Sequence, residues 1–600
     1  MSEETAKVTG GPVLAMYDVR AKQNYIYRTK KLKEIQGASA IIRDVFNNHL
    51  YDEARKYRNE CNSYQGNPDD AAIYNYKDEG CDQLFNYKEF KDRMDNTDNQ
   101  YIGEVVYDGG GNFIVLYKNA GICEEVSYRF GRRLLVEAPG LNILCTYVGD
   151  LDPNNYNNTD YDKDNVSQTP GDYQRLYNEH RKNENQESIV VPYGTLPIVQ
   201  ADYISSMPLT KKVKRVKSDR PDKVTSETYA KYKKFYKEYC SKNSADDSGE
   251  ASGGTVEFDE KILDNLVTEK GRESLLAVIY IDGNNMGAKV QSLLNNKTTY
   301  DDCVNELRDF SKYIQKMCVD EQTEKIDNIL KKRLRDDLRK EIDRKRKDLG
   351  LEPVTDDEAE KEIGEKIKTR RLVVAAGDEI TIICNARYAY EIAKAYLMDI
   401  HNTTSKVIEE MKQKGDSSRE RFITSCAGIT IFHSHTPFAD AYRIAEECCE
   451  SGKKKMKDLN IQNACFLDYH YCQGAIGTSL EDIREHEETT DCSLPWLIVD
   501  CGNHAASHNL CSINDIEGLE KDLNELGRSN VKGLAEKAGD GLASLEMEIK
   551  RILAHREDRA SGLNILGKYV TGAFNKYEKE KYRKLIFDMV NVYDLWFTND

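Results

Sequence analysis

The sequence predicts an α/β chain built from two similar halves and closed by a helical tail. Three observations carry that prediction. Val13-Leu-Ala-Met-Tyr-Asp18 and Ala277-Val-Ile-Tyr-Ile-Asp282 are apolar runs that stop on an acid with the pattern of a buried strand. Each is followed by a strand–glycine turn–strand hairpin: Val105-Val-Tyr-Asp-Gly-Gly-Gly-Asn112 into Phe113–Tyr117, and Leu372-Val-Val-Ala-Ala-Gly-Asp-Glu379 into Ile380–Ile383. The spacings agree, 93 residues from Asp18 to Gly111 (111 − 18) and 96 from Asp282 to Asp378 (378 − 282). This is the signature of a tandem duplication.

The elements follow in order. After the first strand a helical pattern runs to about Tyr57, and a polar Asn/Asp/Tyr-rich stretch, about 60–100, leads into the hairpin. A helix at about 119–137 and a strand, Leu141–Tyr147, complete the first half, residues 1–200. Residues 201–270 read as a charged connector, Ser/Gly-rich at its end, with the basic run Lys211–Lys217 as a solvated linker in preference to a local basic groove for nucleic acid. The second half, 271–514, repeats the order with strand 275–282, a charged helical insertion at about 300–368, hairpin 371–385, helix 387–413 and strand 422–433. A helix then opens at Pro437 and ends on Lys453-Lys-Lys-Met-Lys457, a proline start and a basic end. Residues 515–600 carry helical periodicity alone.

Composition limits the function classes. No run of eighteen apolar residues occurs and the N-terminus shows no basic start, so neither a membrane span nor a signal peptide is expected. The sixteen cysteines are scattered and several lie in apolar runs, which reads as reduced cytoplasmic thiols. A net charge of −17 argues against broad non-specific nucleic-acid binding.

The chemistry is concentrated at strand ends. An ionised carboxylate is costly to bury unpaired, so acids at the mouths of buried strands suggest a site rather than a core. Asp282, Asp378 and Glu379 supply the oxygen ligands that a hard divalent cation, Mg²⁺ or Mn²⁺, requires, and nucleotide phosphates are its usual company. Gly377 lets the turn approach phosphates closely. Gly283, Asn284 and Asn285 are candidates to present backbone to phosphate, and Lys453 to neutralise a triphosphate. In the first half the alignment sets Gly110 on Gly377, Gly111 on Asp378 and Asn112 on Glu379, so the hairpin acids are missing and only Asp18 remains. Asp440, Glu446 and Glu447 read as helix-surface charges.

Those residues also carry a resemblance. Asp282-Gly-Asn-Asn-Met-Gly287 with Ala376-Gly-Asp-Glu379 resembles the second palm domain of the large subunit of type III CRISPR effector complexes, the Cas-ten family. Gln23-Asn-Tyr-Ile-Tyr-Arg-Thr-Lys-Lys-Leu-Lys-Glu-Ile-Gln-Gly-Ala-Ser39 is similar to the helix–loop of that family's first palm, and His433–Glu447 to the segment before its palm lysines. The resemblance spans about 10–200 and 270–480. It implies two tandem ferredoxin-like polymerase/cyclase palms with helical insertions and a small all-α C-terminal domain. It also implies an ATP-dependent nucleotidyl cyclase that makes cyclic oligoadenylate for antiviral defence. Diguanylate (GGDEF) cyclases share the palm. The expected arrangement has a catalytic second palm and a first palm that binds nucleotide through Asp18, Gly110, Gly111 and Asn112 without transferring it. The two palms would face each other as a pseudo-dimer.

The sequence departs from that family in three places. The typical Gly-Gly-Asp-Asp hairpin is Ala-Gly-Asp-Glu here, which keeps the charge and moves the last carboxylate by a methylene. No HD nuclease is expected ahead of the first palm, and no Cys-x-x-Cys occurs for the zinc module common between palms. Cys501, His504, His508 and Cys511 have ligand types suited to zinc, but their spacing fits no common finger and the reading disfavours zinc there. The rival readings are a degenerate palm pair that binds nucleotide or organises a ribonucleoprotein, and a diguanylate or mononucleotide cyclase. A cytoplasmic protein gated by a partner is expected, either CRISPR-type subunits with guide and target RNA or a dedicated regulator.

Overall fold

The computed structural model describes residues 10–598 apart from 30–31, 62–63, 65, 79–80, 82, 96–99, 110, 159–168, 187–197, 204, 216–221, 240–256, 259–273, 351–370, 414–421, 435, 473–477, 487–491 and 556–562. In the first half, strands β1 (Val13–Arg20), β2 (Ile73–Tyr74), β3 (Gly103–Gly109), β4 (Asn112–Tyr117) and β5 (Asn142–Val148) form one sheet in the order β2-β3-β4-β1-β5. β1 is central because Val13–Tyr17 are apolar on both faces and buried on both. Helices α1 (Lys22–Tyr27), α2 (Leu32–Asp44), α3 (Ala120–Glu137) and α4 (Asp172–Gln186) belong to this half. Asn119 caps α3 by accepting from the Ile122 amide. The sequence reading missed α4, whose only strong apolar position is Leu176, fully buried.

The 201–270 stretch is more than a linker. Leu209–Arg215 (β6), Asp222–Thr225 (β7) and Glu257–Phe258 (β8) pair with one another, and Ser226–Tyr239 (α5) packs on α2. The contact is close because residue 37 is glycine: a Cβ there would stand 1.9 Å from the Lys231 carbonyl.

The second half forms a six-stranded sheet from β9 (Leu275–Gly283), β10 (Arg371–Ala376), β11 (Glu379–Asn385), β12 (Ser425–His433), β13 (Ala464–Tyr471) and β14 (Trp496–Asp500), in the order β10-β11-β9-β12-β13-β14. Its first four strands repeat the order β3-β4-β1-β5, antiparallel at both central pairs in each half. Both halves therefore have the palm arrangement, a mixed α/β fold. β12 and β13 run parallel, joined by a crossover helix, and β14 closes the edge. Helices α6 (Met286–Leu293), α7 (Tyr300–Ile314) and α8 (Glu321–Asp348) follow β9. α9 (Ala389–Gln413) follows β11, α10 (Phe438–Asp458) follows β12, and α11 (Leu480–His486) follows β13. The expected insertion beyond residue 350 lies outside the described residues.

The tail comprises α12 (Ile513–Leu526), α13 (Arg528–Gly539), α14 (Leu542–Ala554), α15 (Ile565–Thr571) and α16 (Lys576–Asn591). It is fixed to the second palm by its last residues. Trp596 donates to the Ala386 carbonyl at 2.8 Å and stacks on Tyr390, while Phe597 is buried against Tyr390 and Trp496.

The chain divides into two compact units that do not follow the sequence repeat: residues 1–260 with 285–316, and 261–284 with 317–600. In the first unit α7 lies on the sheet of the first palm. Tyr300, Cys303, Val304 and Leu307 join a core with Tyr87, Phe90 and Tyr156, and Arg308 pairs with buried Glu104 at 2.9 Å. No described helix is long and apolar enough to cross a membrane.

Candidate active site

The three acids read from the sequence stand at one mouth of the second sheet. Asp282 is the penultimate residue of β9 and Glu379 the first of β11, with Gly377 and Asp378 forming the turn before it. The β9–β11 ladder ends at Ile281↔Ile380, so Asp282 and Glu379 are the next residues outward on the two strands. Gly377 takes φ +64°, the left-handed value glycine adopts without strain, and this leaves Asp378 free of a positive φ.

The face of these acids follows from the pleat. Tyr280 meets Tyr442 of α10 edge-on, so alternate β9 residues Tyr280 and Asp282 face that helix. Thr381 pairs with Tyr280, which puts Thr381 and Glu379 on the same face. Lys453 of α10 reaches Asp282 with Nζ 2.5 Å from Oδ2, each side chain about a quarter exposed. The helix comes this close because residues 428 and 452 are glycines. A Cβ at 428 would meet the Ala445 carbonyl at 1.9 Å, and one at 452 the Phe466 Cβ at 3.0 Å.

Electrostatically the mouth is short of positive charge. Burial, then the neighbouring Asp282 with a smaller push from Glu379, raises the Asp378 carboxyl to about 6 against the pull of a backbone hydrogen bond and Lys453. Burial opposes charge on Lys453, but Asp282, Cys449 and Glu450 outweigh it and hold the ammonium above its usual range. Glu446, which the sequence places among the helix-surface charges, is instead half-buried, because α10 packs this face on the sheet. Burial, then Glu379, Glu450, Glu447 and Asp282, raise its carboxyl to about 7. Its helical spacing from Lys453, seven residues (453 − 446), is the signal that would have found it.

The remaining candidates separate. Gly283 is buried in β9 opposite Ser425. The Asn284 side chain is buried and donates to Thr424 Oγ1 (3.2 Å) and the Ala464 carbonyl (3.1 Å), so it secures the exit of β9 rather than facing outward. Asn285 is exposed, in a left-handed conformation at the start of α6. In the first palm Asn112 pairs with Asp18, and Gly111, at φ +93°, accepts from the Val19 amide at 3.3 Å. Gly110 lies outside the described residues. Asp18 Oδ2 is 3.5 Å from Nε2 of His180, a buried residue of α4 that the sequence reading did not single out. Asp440 heads the first turn of α10, and Glu447 is held by Arg443 at 2.7 Å.

Among the described residues no three His, Cys, Asp or Glu side chains converge as a ready metal group. At the second-palm mouth Lys453 is bound to Asp282. The donor set nonetheless suits a hard cation, since it is made of carboxylates alone and Asp378 is destabilised as an anion by Asp282. Around the 501–511 loop, Cys501 is exposed 3.1 Å from His401 Nε2, whereas Cys511 is buried with its thiol toward the Lys581 carbonyl. The Asp500 carboxylate accepts the amides of Gly502, His504 and Ala505 and holds that loop.

Comparison with known proteins gives the following. Solved structures that match include a chain of the Csm1-Csm4 cassette in complex with cA4. It shares 12% identity, and the alignment covers 97% of this chain and 70% of that chain at a TM-score of 0.40. The cassette in complex with AMPPNP gives 12%, 97%, 70% and 0.38. The Csm1-Csm4 subcomplex in the type III-A CRISPR-Csm interference complex gives 12%, 97%, 70% and 0.40. No curated protein matches the chain. Residues 275–461 match the family model described as Cas10/Cmr2, second palm domain. The matched segment bears Asp282, Asp378, Glu379 and Lys453.

Proposed function

We propose that this chain is a nucleotidyl cyclase that joins ATP through 3′–5′ bonds into cyclic oligoadenylate, a second messenger of CRISPR type III-like defence. The observation that carries the reading is the acid mouth of the second palm. Asp282, Asp378 and Glu379 gather beside Lys453, inside the segment that matches the Cas10/Cmr2 family. In the reaction the 3′-oxygen of one ATP bonds to the α-phosphorus of another, the α–β bridging P–O bond breaks, and pyrophosphate departs. Asp282 and Asp378, with Glu379 completing the set, would hold two Mg²⁺ ions, which supply charge neutralisation and activation of the hydroxyl when bound. Lys453, once released from Asp282, would take a triphosphate oxygen, and Gly377 would let the turn approach closely.

The first palm is proposed to bind nucleotide without transferring it. Its hairpin lacks both acids, and the one it retains, Asp18, already has His180 beside it. CRISPR-type subunits with RNA, or a dedicated regulator, are the partners proposed to gate the reaction. The decisive experiment incubates the full chain with each labelled nucleoside triphosphate and Mg²⁺ or Mn²⁺, with and without co-purified partners. Cyclic products from ATP alone, absent in Asp378→Ala with unchanged melting, support the reading. Product from GTP would favour a diguanylate cyclase, and undiminished synthesis by Asp378→Ala would overturn the site.

A further inference from the structure

We propose that Glu446 is a fourth carboxylate of the second-palm centre and binds a divalent cation on its Glu379 side. This rests on the cyclase reading above and assigns to that site a ligand that the hairpin motif does not contain.

The geometry begins with the close contact of α10 on β12. Ala445 lies over Gly428, Gly428 pairs with Tyr280, and Tyr280 pairs with Thr381, a row running across the sheet toward β11. Tyr442, four residues before Glu446, meets Tyr280, and Lys453, seven residues after it, meets Asp282. Glu446 lies between these two contacts on the helix, so it shares the face that looks onto β9 and β11.

Two further observations distinguish Glu446 from ordinary helix acids. Glu447 is held by Arg443 and the Leu480 amide, and Glu450 lies 3.5 Å from Lys453. Among the described residues no ion pair or hydrogen bond engages the Glu446 carboxylate. Thr381, wholly buried one pleat inside Glu379 on this face, has a hydroxyl with no hydrogen-bond partner among the described residues. A half-buried carboxylate and a buried hydroxyl on one face, neither engaged by a partner among the described residues, are the oxygen donors that a hard cation takes. The charges agree. Five carboxyl groups, Asp282, Asp378, Glu379, Glu446 and Glu450, stand around the single ammonium of Lys453, so a triphosphate enters only with added cations.

The replacement of the usual second hairpin aspartate by Glu379 fits the same arrangement. The side chain is longer by one methylene, and a ligand on α10 would share its cation.

The test counts Mn²⁺ bound to the full chain by electron paramagnetic resonance and calorimetry, in the presence of a non-hydrolysable ATP analogue. The wild type should bind two ions. Glu446→Gln should lose one or weaken it at least tenfold with melting unchanged, and Glu446→Asp should recover part of it. Two ions of unaltered affinity in Glu446→Gln would overturn the assignment while leaving the cyclase reading intact. A wild type that binds no Mn²⁺ would overturn both. Asp378→Ala, run alongside, should lose binding whichever outcome Glu446 gives.

Discussion

Residue 428 can only be glycine because a Cβ there would stand 1.9 Å from the carbonyl oxygen of Ala445. The obstacle is backbone, so a larger residue must move the whole helix α10. Gly428→Ala should destabilise the protein by about 1–3 kcal/mol, as overpacking does. It should also lower turnover more than melting, because the shift withdraws Lys453 from Asp282. Equal turnover at matched temperature below melting would refute the link between this contact and the site.

Lys453→Gln separates stability from chemistry. Its pair with Asp282 is a quarter exposed on both sides, and such pairs contribute at most about 1 kcal/mol. Melting should barely change, while the KM for ATP rises and turnover falls at least tenfold. A large loss of stability with normal KM would make the lysine structural.

Acid stability has an identifiable contributor in the tail. Asp588 is fully buried, and burial raises its carboxyl to about 6 even though Ser493 donates to it twice at 2.6 Å. The folded state thus keeps a proton that the unfolded chain releases near the ordinary aspartate value of about 4. This contribution is complete below pH about 4 and is lost as pH rises through 6, on the order of 3 kcal/mol. His470 acts oppositely, since burial lowers it to about 4 and favours the fold as pH rises. Asp588→Asn should flatten the falling component, seen as a smaller change in urea midpoint between pH 4.5 and 7 than in the wild type. An unchanged slope would reject the assignment.

Removing the aromatic anchor of the tail should be costly. Phe597 is 1% exposed, and Phe597→Ala is expected to lose about 3–5 kcal/mol through the cavity it leaves. A melting temperature within one degree of the wild type would show that the last turn does not brace the second palm.

Restoring an acid to the first hairpin should fail. Gly111 sits at φ +93°, whereas in the second hairpin the positive φ falls one position earlier, on Gly377, which leaves Asp378 in an ordinary conformation. Gly111→Asp should therefore destabilise the protein by more than about 1 kcal/mol and gain no second transfer activity. Doubled turnover in that variant would contradict this.

Much of the site was legible because acid, glycine and strand pattern coincide in short stretches. Asp282, Asp378 and Glu379 fall at the strand ends that the apolar runs predicted, and the two hairpins share the register their alignment implied. The inward turn of the Asn284 side chain to Thr424 was not legible, since nothing local in the sequence shows it. Glu446 and His180 were missed for a related reason: each lies on a helix whose facing strand is far away in sequence, and a charged helix position reads as solvent until that strand is known. Strands β13 and β14 and helix α4 escaped because tertiary packing, more than local periodicity, selects them.

The helices after β9 limit how the protein can be divided. A fragment starting near residue 271 would contain all three acids of the strand mouth, yet it would carry Tyr300, Val304 and Leu307 without the first-palm residues that shelter them. A fragment ending near residue 260 would leave Glu104 and Phe90 uncovered in turn. Each half made separately is expected to expose an oily surface and precipitate, whereas co-expression of 1–316 with 317–600 would cut β9 away from its sheet. The chain is encoded as a repeat, but it must be synthesised and folded as one piece.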